Sequence, residues 1–121
     1  MRAAIYARVA TEAERERLQS QFLQCETLAA QNGCKVVSKH FDVGQSGANG
    51  GVRALLQLAA DANFEVVLTM ELHRLSRDRD ELVRICRDLH AHGVRIITAK
   101  EGEIPTEWIV LNATALELSQ D

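Results

Sequence analysis

The sequence predicts an α/β domain in three layers, with a mostly parallel central sheet flanked by helices. Three observations predict it. Short apolar runs of strand length alternate with longer segments whose apolar residues recur at helical spacing. Strands separated by helices pair in parallel through right-handed crossovers. The 121 residues, 46% hydrophobic and 26% charged, make one ordinary globular domain, 1–121. That is well above the ~40 residues below which a chain needs disulfides or a metal to hold its core.

The elements follow in order. Residues 3–7 are a short apolar run, read as the first buried strand. Thr11-Glu12-Ala13-Glu14 reads as a capping box, in which the Thr hydroxyl and the Glu carboxylate satisfy helix-start amides. A long helix is expected from there, with Leu18, Phe22, Cys25, Leu28 and Ala29 on one face. Gln31-Asn32-Gly33 stops it. Residues 34–39 are the second strand, and 42–51, with four glycines, are a loop without periodicity. A second helix is expected over about 52–62, a third strand over 64–69 and a charged connection over 73–78. A third helix over about 79–92 buries Leu82, Ile85, Cys86 and Leu89 and ends at Gly93. The fourth strand is 94–98, and Pro105-Thr106 opens a last helix reaching about 118. The result has a flavodoxin-like appearance, and in such sheets functional residues gather beyond the carboxyl ends of the strands.

Composition excludes several classes. The three cysteines are odd in number and form no CxxC pair, so no disulfide framework or zinc site is expected, and Cys25 and Cys86 read as core residues. The four histidines lack metal-ligand spacing, and neither a GxGxxG nor a P-loop is present; no cofactor is expected. No apolar run approaches the ~20 residues of a membrane span. Residues 1–8 read as a strand, not a signal peptide, which makes a cytoplasmic location the expectation. The formal charge of −3 is unlike the basic excess of most nucleic-acid-binding domains, so any DNA contact must come from a local cluster.

Three segments follow strand ends and converge on one edge of the expected sheet: Tyr6-Ala7-Arg8-Val9-Ala10-Thr11, Asp42-Val43-Gly44-Gln45-Ser46-Gly47 and His73-Arg74-Leu75-Ser76-Arg77-Asp78. Together they supply Arg8, Arg74 and Arg77. Three permanently charged guanidiniums suit a phosphodiester, whose oxygens they fork onto and whose growing negative charge they stabilise. Any one of them alone reads first as a solvated or salt-bridged surface arginine.

These segments carry a resemblance. Tyr6-Ala7-Arg8-Val9-Ala10-Thr11 is similar to the opening Y-A-R-V-S-T of the serine recombinases, the resolvase and invertase superfamily. Leu18 and Gln21 followed by Asn32-Gly33, the D-x-G-x-S-G run from Asp42, the R-L-S-R-D run from Arg74, and His92-Gly93-Val94 with Glu101-Gly102 match further motifs in the same order. The resemblance implies a resolvase catalytic-domain fold and a part in site-specific DNA recombination. In the family a serine attacks the scissile phosphate to form a phosphoserine link, and subunits of a tetramer exchange strands. By matched position it implies Arg8, Arg74 and Arg77 as DNA-phosphate ligands and Gln21, Asp42 and Ser46 as supporting residues.

Ala10 stands at the position of the family's nucleophilic serine, and a methyl group cannot attack phosphorus. Thr11, Ser46 and Ser76 carry hydroxyls but sit at positions other than the nucleophile's. His73 replaces the aspartate that opens D-R-L-S-R-D, the arginine after the glycine loop is either Arg53 shifted by one or lost to Val52, and the last helix lacks the terminal acid and arginine of the family pattern. The sequence runs to Asp121 with no helix-turn-helix segment. The expectation is a recombinase-type domain defective in cleavage, binding DNA weakly and without sequence preference. The alternative is a non-catalytic partner that pairs with itself or with an active recombinase. A small-molecule-binding domain of flavodoxin type is disfavoured by the missing phosphate loop.

Overall fold

β1 (Arg2–Val9) runs through the middle of the molecule, and its residues from Ala3 to Val9 are all buried. Ala3 and Ile5 pack on one face of the sheet, Ala4 and Tyr6 on the other. The alternation is the period-2 geometry of an extended chain, here with both faces covered. The computed structural model describes residues 1–44 and 50–119.

The described elements are β1, α1 (Arg17–Gln31), β2 (Lys35–Val43), α2 (Gly50–Ala60), β3 (Val66–Thr69), α3 (Arg79–Ala91), β4 (Arg95–Thr98), β5 (Gly102–Glu103) and α4 (Thr106–Ser119). Short 3-10 turns lie at Glu12–Glu14 and Leu72–Arg74. The sheet order is β2-β1-β3-β4-β5; the first four strands are parallel and β5 is antiparallel. The mostly parallel three-layer arrangement expected from the sequence is therefore present.

α1 covers one face, where Cys25 and Ala29 meet Ala3, Ile5, Val66, Leu68 and Ile97. The other face carries α2, α3 and α4, whose Leu55, Cys86, Leu89 and Ile109 join Tyr6, Val67 and Ile96 in the larger core. Each fully buried leucine there contributes roughly 1.5–3 kcal/mol relative to exposure. Burial pushes the Cys25 thiol up to about 11 and the Cys86 thiol up to about 12, so both are inert packing groups. Among the described residues, no helix is long and apolar enough to cross a membrane.

Three differences from the sequence reading have physical causes. The capping box does not form: the Thr11 hydroxyl donates to Glu14 Oε1 (3.0 Å), and the chain makes a 3-10 turn. Ion pairs Glu12–Arg15 and Glu14–Arg17 hold this turn, and none of its residues is buried, so α1 begins only at Arg17, beside buried Leu18. β2 runs on past residue 39 to Val43, because β1 continues alongside and pairs Arg8 with Asp42 and Val9 with Val43. β5, two residues long, is too short to leave a sequence signal; it forms where Glu101 folds back on Thr98.

β1 lies between β2 and β3, and its carboxyl end sits where the strand order reverses. The connection after β1 leads to α1 on one face and the connection after β2 to α2 on the other. A crevice opens at such a switch point.

Candidate functional site

Asp42 organises the crevice. Its register beside Arg8 places it at the end of β2, where it is buried. Oδ1 accepts from the Gly51 amide (2.8 Å), and Oδ2 accepts from the Val52 amide (2.9 Å) and from the Tyr6 hydroxyl (2.7 Å). One carboxylate thus caps α2 from a neighbouring strand, satisfying orphan helix-start amides and opposing the positive end of the helix dipole. Burial pushes the Tyr6 phenol far above the ordinary tyrosine range, and the Asp42 hydrogen bond adds to this, so Tyr6 stays a neutral donor.

Gly51 permits the close approach. A Cβ there would lie 2.1 Å from the Phe41 carbonyl oxygen and 2.8 Å from Asp42 Oδ2. Gly51→Ala is expected to push the start of α2 off its cap and destabilise the domain by roughly 2–4 kcal/mol, combining overpacking with a lost cap. Chemical denaturation checks this, and a loss below about 0.5 kcal/mol, the level of an ordinary surface substitution, would contradict it.

Arg8 is the counter-charge. Its side chain is only 6% exposed, and Nη2 lies 3.7 Å from Asp42 Oδ2. Nε donates to the Arg74 carbonyl (3.0 Å) and Nη1 to the Gly44 carbonyl (3.1 Å). Gln21 clamps the backbone of the same residue: its Oε1 accepts from the Arg8 amide (3.1 Å) and its Nε2 donates to the Arg8 carbonyl (2.9 Å). A buried glutamine on α1 thereby fixes the end of β1. Arg74 Nη1 reaches the Arg8 carbonyl (3.4 Å), lacing the turn after β3 to β1.

Arg8, Ala10, Gly44, Glu71, His73, Arg74 and Arg77 line one small cleft at this edge. The structure therefore brings together Ala10 and all three sequence-predicted arginines. Gln21 and Asp42 lie behind the cleft as supports, and Ser46 falls outside the described residues. The arginines differ in availability: Arg8 is committed to acceptors of the protein itself, the Arg74 side chain is one-third exposed, and Arg77 is exposed.

A family model of the resolvase N-terminal domain matches residues 3–113. The chain belongs to this family. Among solved structures, this resolvase-family domain is similar to the C-terminal catalytic domain of ISC1926 TnpA, an IS607-like serine recombinase, with 27% identity, TM-score 0.77, and coverage of 99% of this chain and 82% of that one. It shares the fold of the N-terminal catalytic domain of TP901-1 integrase (23% identity, TM-score 0.78, 99% and 94% coverage). It also shares that of a resolvase family site-specific recombinase from Streptococcus pneumoniae (20% identity, TM-score 0.80, 99% and 88% coverage). No curated protein matches the chain.

Two hydroxyls near the cleft have structural work. Thr11 is bonded to Glu14, and Ser76 is fully buried, accepting from the Asp78 amide (3.1 Å) at the entry to α3. Asp78 in turn caps α3, accepting from the Glu81 amide (2.8 Å). Among the described residues, no group of three or more His, Cys, Asp or Glu comes together in a metal-holding cluster. Sequence reasoning missed Glu71, which sits 3.9 Å from Arg74 Nε and 3.5 Å from Lys100 Nζ and so tempers the positive charge of the cleft. Its position just after β3, facing the arginine run, was the available signal.

Proposed function

We propose that this chain is a serine-recombinase-type domain that holds a DNA phosphodiester in its arginine cleft without cleaving it. The observation that carries the reading is the shared cleft of Arg8, Ala10, Arg74 and Arg77 at the switch point of the sheet. Arg74, one-third exposed, and Arg77, exposed, would be the phosphate ligands, and Arg8 lines the same cleft beside Asp42. Ala10 lines the same cleft and offers no nucleophile. A second reading, pairing with itself or with an active recombinase as a regulatory partner, is favoured by Val110, Leu111 and Leu118 on α4, which are 50%, 71% and 70% exposed.

A salt titration of duplex binding tests the first reading. The formal charge of −3 gives no global attraction, so only the local cluster acts, and each phosphate neutralised contributes about −0.9 to the slope of log K against log salt. Two to three phosphates give a slope of about −1.8 to −2.7, with little sequence preference. Arg74→Ala and Arg77→Ala are each expected to reduce the slope by about 1 and to weaken binding uniformly across sequences. Sub-micromolar, sequence-selective binding would show a recognition surface elsewhere. Absent binding at low salt, with both variants indistinguishable from the parent, would move the assignment to the regulatory partner.

A further inference from the structure

His73 lines the arginine cleft and also a second, larger cavity on its far side. That cavity, about 570 Å3, lies between the turn after β3, the start of α3 and the start of α4. Its walls are Leu72, Leu82, Val83, Ile104, Pro105 and Trp108, and its rim carries His73, Arg79 and Glu101. The size falls within the ~300–1,000 Å3 of sites for small organic ligands, and so does the pattern of apolar walls with few polar groups.

The rim is built rather than incidental. Glu101 Oε1 accepts from the Leu72 amide (3.0 Å) and the Thr98 hydroxyl (2.6 Å), which ties the β4–β5 turn to the turn carrying His73 and Arg74. The cavity and the cleft therefore adjoin at His73, on a turn that the anchored Glu101 carboxylate ties to the β4–β5 turn.

We propose that the cavity takes an unstacked nucleobase of single-stranded DNA whose phosphate sits in the arginine cleft. The inference rests on the phosphate-cleft reading above and deepens it by naming the form of DNA. A base is flat, aromatic and rimmed by donors and acceptors. The lining includes the indole of Trp108, which can stack, the Glu101 carboxylate, which can accept, and Arg79 and His73, which can donate; Arg79 also donates to Asn112. Charge complementarity sets the direction of entry, because the arginine cleft adjoins the cavity at His73. A base within a duplex must first be unstacked and unpaired, at a cost of roughly a few kcal/mol, so an unpaired strand is the form of DNA that fills such a cavity without that cost.

Trp108 is the only tryptophan in the chain, so its emission reports the cavity directly. The experiment titrates the whole chain at low salt with a short labelled thymidine-and-adenosine single strand, its blunt duplex and an abasic strand of equal length. It follows Trp108 emission and, independently, anisotropy of the label. The expected result is saturable quenching by the base-bearing strand in step with anisotropy, roughly 5- to 150-fold weaker binding of the abasic strand, and no quenching by the duplex. Trp108→Ala should weaken the base-bearing strand by a similar factor, and Trp108→Phe, which keeps an aromatic face and the local packing, should restore most of it. Binding that depends on Arg74 but leaves Trp108 emission unmoved and treats abasic and base-bearing strands alike would overturn the base pocket and leave the phosphate cleft standing. Absent anisotropy change for every strand would overturn both. Emission that changes with protein concentration alone would mean that a second copy of the chain fills the cavity, which also overturns the proposal.

Discussion

Asp42→Ala is expected to lower the stability of the domain by about 3–5 kcal/mol, the usual cost of removing one partner from a buried ion pair. The Asp42 side chain is 8% exposed and the Arg8 side chain 6%. Removing the carboxylate leaves the Arg8 guanidinium without its neighbouring counter-charge in the interior. It also strips an acceptor from the Tyr6 hydroxyl and from the Gly51 and Val52 amides. Buried donors left unmade cost more than the net worth of the bonds they formed. Asp42→Asn keeps one oxygen for the helix amides but removes the charge, so it should fall between the parent and the alanine variant. Urea denaturation with an unchanged slope would read the difference cleanly. A domain of this size has only about 5–15 kcal/mol in total, so the alanine variant is expected to be partly unfolded at moderate denaturant. A cost below about 1 kcal/mol would mean that the amides and the arginine find water or other acceptors, and that Asp42 is not the organiser of the crevice.

The same residues show what was legible beforehand. The alternating strands and helices came from periodicity alone, since Ala3, Ile5, Val67 and Ile96 are apolar because both faces of their strands are covered. The convergence of Arg8, Arg74 and Arg77 followed from each lying past a strand, and the structure has them lining one cleft. The commitment of Arg8 to the protein's own carbonyls was not legible, because it depends on the β1–β2 register that sets Asp42 opposite it. The loop reading of residues 42–51 missed the last residues of β2 for the same reason: glycines near Asp42 signalled a turn locally, while pairing with β1 held the chain extended as far as Val43. The capping box failed because Thr11 and Glu14 found each other instead of the backbone. The cavity at Trp108 was hidden because its walls come from four separated stretches, and one of them, the turn into β5, carries almost no pattern.

On the reading proposed above, in which Ala10 leaves the cleft without its nucleophile, chemistry at the cleft has the largest expected effect. Losing a nucleophile outright costs on the order of 10⁶ in turnover in a well-studied hydrolase, because electrostatic stabilisation cannot replace a bond-forming atom. Here Ala10 lines the cleft, the Thr11 hydroxyl is bonded to Glu14, and Ser76 is sealed in the turn before α3. A replacement nucleophile would need in-line placement within ~3–3.5 Å of phosphorus, and neither Thr11 nor Ser76 is among the residues that line the cleft.

The measurement that bears most directly on a phosphate-holding domain without cleavage is adduct trapping on a nicked suicide DNA substrate. The substrate is first validated with an intact serine recombinase on its own site. The purified chain is then incubated at low salt, denatured and resolved by electrophoresis. The expected result is Arg74-dependent retention of DNA under native conditions and no band that survives denaturation. A denaturation-resistant protein–DNA band, lost in Thr11→Ala, Ser46→Ala or Ser76→Ala, would show that another hydroxyl has taken the role and would contradict the account.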